Sequence, residues 1–259
     1  MTRFFPLYRR EARYDKHSRP DDQLNALFDQ YRGNIQPLYS YNSPVQRNFA
    51  DEDDDDIAAE GTVALCKTLG VDPEDVVLLS IAFELKSPRV GQWNRKGWLE
   101  GWRNLGCDTI DAMKKKLPSL RKKLGSDPLY FREVYNYTFS FARSEGQRSL
   151  ALEVALAYWE LLLPFGLAEG ALNHVSSSEG EDVDMDEDEG WQSQHTEFWL
   201  EFMRQKGGKG VSKDTWQMLT EFIRSIDAKF AKHDASASWP STIDDFVEWA
   251  KREKKLEWV

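Results

Sequence analysis

Cysteine and histidine are scarce in this sequence. Its 259 residues include only two cysteines and four histidines. Two cysteines cannot build a disulfide framework, so we expect a reducing compartment, the cytoplasm and the nucleus. Apolar runs are also short, since none approaches the roughly 18 residues that a membrane-spanning helix needs. The first residues carry frequent charges and lack the apolar stretch of a secretory signal. We therefore expect no membrane partner.

The composition excludes disorder throughout the chain. Hydrophobic residues make up 41% and aromatic residues 13% of the chain, enough for one large domain or two small ones. The formal net charge is -10, but most of the acidity lies in two runs. Residues 51–56 hold six acidic side chains and residues 179–189 hold eight, which leaves 30 acidic against 34 basic residues elsewhere. An acidic chain is a poor candidate for binding nucleic acid, and we expect no such partner.

Apolar residues recur with a helical period almost everywhere, and no convincing period-two stretch is present. The predicted fold class is all-α, with about eight to ten helices. Prolines are expected to end two of them. One helix breaks at Pro118, and the almost uniformly apolar helix 150–163 ends at Pro164. Another helix begins after Ser212 and runs to about Lys232.

The ends of the chain and one internal segment are predicted to lie outside the packed domain. Residues 1–20 form a flexible N-terminal tail, the domain spans residues 21–250, and residues 251–259 form a basic C-terminal end. Residues 170–190 are rich in serine, glycine and acidic side chains and have few apolar groups. Such a composition cannot offset the entropy of ordering, so we expect a disordered acidic insertion there. The first helix after the acidic run is predicted over residues 57–69.

Motifs for catalysis or metal binding are largely missing. The histidines share no metal-ligand spacing, and neither Cys66 nor Cys107 has a nearby histidine or an obvious electropositive neighbourhood. We therefore predict core cysteines, no catalytic nucleophile, and neither a metal nor another cofactor. An EF-hand loop that starts at Asp51 would have Thr62 where its twelfth position requires glutamate. A solvated acidic loop is the better interpretation, and an EF-hand-derived calcium sensor remains an alternative function.

Four long segments carry a resemblance to a known family. They are LGVDPEDVVLLSIAFEL, LEGWRNLGCDTIDAMKKKLPSL, FREVYNYTFSFARSEGQRSLALEVALAYWELLL, and KDTW followed by SWPSTIDDFVEW. Together they cover most of residues 57–250, and their order and spacing resemble the potentiating-neddylation domain of the defective-in-cullin-neddylation family. The resemblance implies an all-helical domain whose N-terminal half has EF-hand-like helix pairs without reliable metal ligands. A C-terminal helical cullin-binding half would follow.

The resemblance also implies a function. Such proteins act as scaffold-type ligases or co-ligases for cullin neddylation and have no nucleophile of their own. They hold the C-terminal winged-helix domain of a cullin, with the RING subunit of its complex, beside the conjugating enzyme that carries the ubiquitin-like modifier. Transfer becomes faster through proximity and orientation, and cullin-RING ubiquitin ligases are activated. A cullin-binding adaptor that does not recruit the conjugating enzyme is a further alternative.

Two sites follow from the resemblance. The family's cullin-binding triplet Asp–Ala–Asp matches Asp214, Ser238 and Asp244, whose acids would pair with basic residues of the cullin. The second site is an apolar pocket for the acetylated N-terminal methionine of the conjugating enzyme, since acetylation removes a charge that is costly to bury. Larger apolar residues are expected where Ala59 and Thr62 stand. The matching pocket positions, all of which would also be ordinary core residues, are Leu78, Leu79, Ile81, Trp93, Phe141, Tyr158 and Leu161.

Overall fold

Helices dominate the part of the chain that the structure describes. The computed structural model describes residues 20–32, 56–175 and 190–254. The helices in these ranges are α1 (Pro20–Arg32), α2 (Ala59–Leu69), α3 (Val77–Glu84), α4 (Arg95–Asn104), α5 (Ile110–Ser126), α6 (Pro128–Ala142), α7 (Leu152–Glu169), α8 (Ser193–Lys206), α9 (Lys213–Ser225) and α10 (Ser241–Glu253). Two small antiparallel ladders pair β1 (Asp56–Ile57) with β2 (Trp93–Asn94) and β3 (Leu150–Ala151) with β4 (Gly210–Val211). The all-α prediction is confirmed.

Two tryptophans of α4 lie at the centre of its packing against α1. Trp98 and Trp102 are fully buried and lie edge to face, with ring centroids 5.9 Å apart. The indole N–H of Trp98 donates a hydrogen bond of 3.1 Å to the carbonyl oxygen of Leu24, which ties α1 to α4. At Gly97 a Cβ would lie 2.1 Å from the carbonyl oxygen of Leu85. Because only glycine allows this approach, α4 can begin directly beside the end of α3.

An aromatic stack joins α6, α7 and α9. The rings of Tyr135 and Trp216 are stacked with centroids 4.5 Å apart, and Trp159 stacks on Trp216 at 5.4 Å. All three side chains are fully buried. The Tyr135 hydroxyl accepts from Nε1–H of Trp159 at 2.8 Å and donates to the carbonyl oxygen of Trp216 at 2.9 Å. These buried polar groups therefore satisfy one another, as a dry core requires.

Two predicted helix ends are wrong, because Pro118 lies inside α5 and Pro164 lies inside α7. A proline within a helix leaves the carbonyl oxygen four residues earlier without its helical hydrogen bond. Both prolines are exposed, so water can solvate the freed carbonyl groups of Lys114 and Glu160. The other faces of both helices supply buried core residues. Tertiary packing thus outweighs the local penalty of the proline.

Two other predicted boundaries shift in the structure. Ile57 belongs to β1, and α2 begins only at Ala59. The helix that starts after Ser212 ends at Ser225 rather than near Lys232. The reason is a turn held by Asp227, whose carboxylate accepts three backbone N–H groups of the residues that follow. This turn leads the chain from α9 into the loop before α10.

The first residues of the predicted insertion 170–190 are packed in the structure. Ala171 and Leu172 are buried, and the N–H of Ala171 donates to the carbonyl oxygen of Gly125 at 2.7 Å. The start of the segment therefore packs against α5 and belongs to the domain. The acidic run itself, in residues 176–189, lies outside the described residues. The same is true of residues 1–19, 33–55 and 255–259.

Candidate functional site

An apolar cavity of about 670 Å³ opens between α2, α3 and α7. The end of α6 and the strand β2 complete its wall. Side chains from separate parts of the sequence therefore meet at one concave surface, which is the usual form of a ligand site. Six of the seven expected pocket positions line this cavity: Leu78, Leu79, Trp93, Phe141, Tyr158 and Leu161. Their role in binding a partner remains a prediction.

Ile81 is the seventh expected position, and it lies on a different side of α3 from the residues that line the cavity. The side chain is fully buried in the core and does not line the cavity. Leu78 and Ala82 do line it, and they lie one helical turn apart on the same face of α3. Because α3 is apolar nearly all round, with the sequence VLLSIAFE, its pattern does not reveal which face borders a cavity.

A threonine holds the tryptophan of the cavity wall. Nε1–H of Trp93 donates to the hydroxyl oxygen of Thr62 at 2.8 Å. That hydroxyl lies 3.0 Å from the carbonyl oxygen of Ala58 and 3.2 Å from that of Gly91, so it can donate in turn. A larger apolar residue, which was expected at this position, would leave the indole N–H without this acceptor. Thr62 and the neighbouring Ala59 both line the cavity.

The mouth of the cavity combines exposed apolar and acidic side chains. Val63 is 56% and Val90 is 61% exposed, although both are large apolar residues. Such exposed apolar side chains at a concave surface are typical of a binding site. Two of the three carboxylates that line the cavity form ion pairs with arginines outside it. The three are Glu74, Asp75 and Glu160.

Both cysteines are buried, and Cys66 also lines the cavity. Burial raises the pKa of the Cys66 thiol and that of the Cys107 thiol. The neutral thiol is therefore favoured at both positions. A thioester-forming nucleophile needs the opposite, a pKa lowered by nearby positive charge. The surroundings of both cysteines suit packing better than covalent chemistry.

The second candidate site lies at the N-terminal ends of α9 and α10. Asp214 is exposed in the first turn of α9, where the Ser212 hydroxyl accepts the backbone N–H of Thr215 at 3.0 Å and caps the helix. Asp244 lies in the first turn of α10, and Ser238 is exposed in the preceding loop. The helix dipoles stabilise acidic side chains at both positions. Asp214, Ser238 and Asp244 are thus at least partly accessible to a partner.

Asp244 has a neighbour that sequence reasoning missed. Nε2 of His233 lies 2.9 Å from Oδ1 of Asp244. The His233 side chain is only 7% exposed, whereas that of Asp244 is 31% exposed. The imidazole edge also contacts Phe222 of α9, with ring centroids 6.1 Å apart. No sequence signal could have indicated this contact, because it depends on the path of the loop between α9 and α10.

The described ranges 20–32, 56–175 and 190–254 contain no group of three or more His, Cys, Asp or Glu side chains that could hold a metal ion. The acidic run that prompted the calcium alternative lies almost entirely outside these ranges. Its last member, Asp56, accepts a hydrogen bond of 2.7 Å from the amide of Gln92. Within the same ranges, no helix combines the length and the apolar character needed to cross a membrane.

Comparison with known proteins shows which family the chain belongs to. The profile of the family described as "Cullin binding" matches residues 112–249, which is more than half of the chain. This chain belongs to the cullin-binding family. The matched range runs from α5 into α10 and includes Asp214, Ser238 and Asp244, whereas the helices α2 and α3 of the cavity precede it.

Relatives within the cullin-binding family extend the match to the N-terminal half. Defective in cullin neddylation protein 1 of Mycosarcoma maydis is 37% identical over 257 residues, which cover 89% of this chain and 75% of that protein. The protein of the same name in Cryptococcus neoformans is 39% identical over 207 residues, with 77% and 71% covered. Human DCN1-like protein 5 is 29% identical over 198 residues, with 76% and 72% covered. The resemblance to the defective-in-cullin-neddylation family is confirmed.

Proposed function

We propose that this member of the cullin-binding family promotes cullin neddylation as a scaffold-type ligase or co-ligase. Its relatives are named for a defect in cullin neddylation. One observation supports the scaffold role above all: the chain carries an apolar cavity in addition to the accessible acids Asp214 and Asp244. Two recognition sites on one domain are what a scaffold needs to hold two partners together.

The accessible acids Asp214 and Asp244 suit the winged-helix domain of a cullin. Asp214 is exposed and, within the described part of the chain, forms no ion pair. The Asp244 side chain is 31% exposed in the first turn of α10. Basic cullin side chains would pair with these two acids, which would steer docking and fix its orientation. Ser238, in place of the family's alanine, adds a hydroxyl at the surface and is expected to alter affinity only modestly.

The cavity suits an acetylated N-terminal methionine of the conjugating enzyme. Methionine is flexible and fills irregular apolar spaces well. Its free ammonium group would be costly to bury beside the apolar wall, and acetylation removes that charge. Val63 and Val90 at the mouth would cover the residues that follow the methionine. The wall that receives the side chain is formed by Leu78, Leu79, Trp93, Phe141 and Leu161.

Proximity and orientation would supply the rate enhancement. The conjugating enzyme carries the modifier and the cullin, with its RING subunit, offers the acceptor lysine. If both are held on one scaffold, the transfer no longer depends on a random encounter between them. No covalent step on this chain is required, which agrees with the raised pKa of both cysteine thiols.

A reconstituted neddylation time course tests the cullin site. It contains a cullin C-terminal fragment, its RING subunit and the charged conjugating enzyme. Wild-type protein should accelerate modification, and Asp214→Ala combined with Asp244→Ala should abolish the acceleration. Asp245→Ala is the matched control, because Asp245 adjoins Asp244 on α10 but is exposed and paired with Lys206. An equal loss in the control and in the double variant would contradict the site.

Peptide binding tests the cavity. Wild-type protein should bind a peptide with an acetylated N-terminal methionine at least about tenfold more tightly than the same peptide with a free amine. Ala157→Trp should remove this preference, because Ala157 is exposed and lines the cavity. Ala168→Trp is the control, an exposed alanine of the same helix that does not line it. Equal affinity of the wild type for both peptides would contradict a working pocket.

An adaptor that binds cullins without recruiting the conjugating enzyme is the second candidate. It is favoured by the small side chain of Ala59 and by the polar one of Thr62 at the cavity wall. In that case the protein would bind the cullin fragment through Asp214 and Asp244 without accelerating neddylation. It would also bind the acetylated and the free peptide equally.

A further inference from the structure

The contact between His233 and Asp244 carries an inference that rests on the proposed function. The geometry points to His233 as the positioning residue of the cullin-binding carboxylate: its ring nitrogen Nε2 holds Oδ1 of Asp244 and leaves Oδ2 to a basic side chain of the cullin. The two atoms are 2.9 Å apart. With side-chain exposures of 7% and 31%, the ring lies behind the carboxylate and the carboxylate lies at the surface.

The ring is itself held in place from behind. The backbone N–H of His233 donates to the carbonyl oxygen of Phe230 at 3.4 Å, and the imidazole edge contacts Phe222. Phe230 is fully buried, in a turn whose backbone N–H groups bind the carboxylate of Asp227. The rotamer of Asp244 is therefore selected before a partner arrives. Preorganisation of this kind raises affinity, because less side-chain entropy is lost on binding.

Two variants separate positioning from mere packing. His233→Gln keeps a side-chain N–H donor near the place of Nε2. His233→Leu keeps the apolar volume against Phe222 and has no donor. If His233 acted only by packing, the leucine variant would bind as the wild type does. If it positions Asp244, the glutamine variant should restore what the leucine variant loses.

Calorimetric titration with a cullin C-terminal winged-helix domain tests the inference. His233→Gln should bind within about twofold of the wild type, and His233→Leu about fivefold more weakly.

Each outcome is decisive. If both variants bind as the wild type does while Asp214→Ala with Asp244→Ala abolishes binding, the inference is wrong and the proposed function stands. If the wild type does not bind the cullin domain at all, both are wrong. If His233→Leu loses its helical circular-dichroism signal, His233→Gln decides alone, and binding more than about fivefold weaker than that of the wild type overturns the inference.

Discussion

Acidification should destabilise this fold through one buried histidine, His195 of α8. Its side chain is fully buried, and the rings of Trp191, Phe198 and Phe230 surround it. Its Nδ1 accepts the backbone N–H of Gln192 at 2.8 Å, so that this nitrogen carries no proton in the folded chain. Burial lowers the pKa of His195 from 6.5 to about 4, because the charged ring would lose its hydration among these side chains.

The sign and the size of the effect follow from linkage. Above about pH 6.5 the ring is neutral in both the folded and the unfolded chain, and His195 does not affect the free energy of unfolding. As the pH falls towards 4, the unfolded chain takes up a proton that the folded chain excludes. Each pH unit then lowers the free energy of unfolding by about 1.4 kcal/mol, which gives a total loss of about 3 kcal/mol. Domains of this kind are stable by about 5–15 kcal/mol, so the loss is substantial.

Urea unfolding followed by tryptophan fluorescence, at several pH values between about 7.5 and about 4.5, measures this loss. The control is His195→Gln, because glutamine at the third position of a helix can accept the same backbone N–H and does not titrate. Between about pH 6.5 and about pH 4.5 the wild type should lose about 2 kcal/mol more than the variant. Carboxylates elsewhere act in both proteins and cancel in the difference. Parallel pH profiles would refute the argument from burial.

Two further substitutions test the packing by the same urea titration. Tyr135→Phe should lower the free energy of unfolding by about 2–3 kcal/mol, because the indole N–H of Trp159 and the carbonyl oxygen of Trp216 lose their buried partner. The control is Tyr158→Phe, since the Tyr158 hydroxyl makes no hydrogen bond within the described ranges, and equal losses would contradict the role of the buried hydroxyl. Pro118→Ala should raise the free energy of unfolding by about 1–2 kcal/mol, because an exposed helix interior regains a backbone hydrogen bond. An unchanged or lower value would show that α5 gains nothing from the restored bond.

The two candidate sites differ in how far the sequence could reveal them. Resemblance to a family located Asp214, Ser238 and Asp244, and the structure places them at helix starts and in a loop where they reach the surface. For the cavity, the same resemblance named six residues that line it and a seventh, Ile81, that is buried in the core. Residue type cannot separate a cavity wall from a core, because both need apolar side chains. The role of His233 could not be predicted from the sequence, because its contact with Asp244 depends on the path of the loop between them.

The existence of most helices could be predicted from the sequence alone. The period of apolar residues and the capping side chains act within a few residues of one another. Ser212, for example, was expected to begin α9 and does cap it. The continuation of α5 and α7 through Pro118 and Pro164 was decided only by the tertiary structure. There the burial of whole helix faces against distant segments outweighs a local penalty. The cavity was also decided by the tertiary structure, because it is lined by segments far apart in the chain, and the His233–Asp244 contact depends on how the loop before α10 folds back.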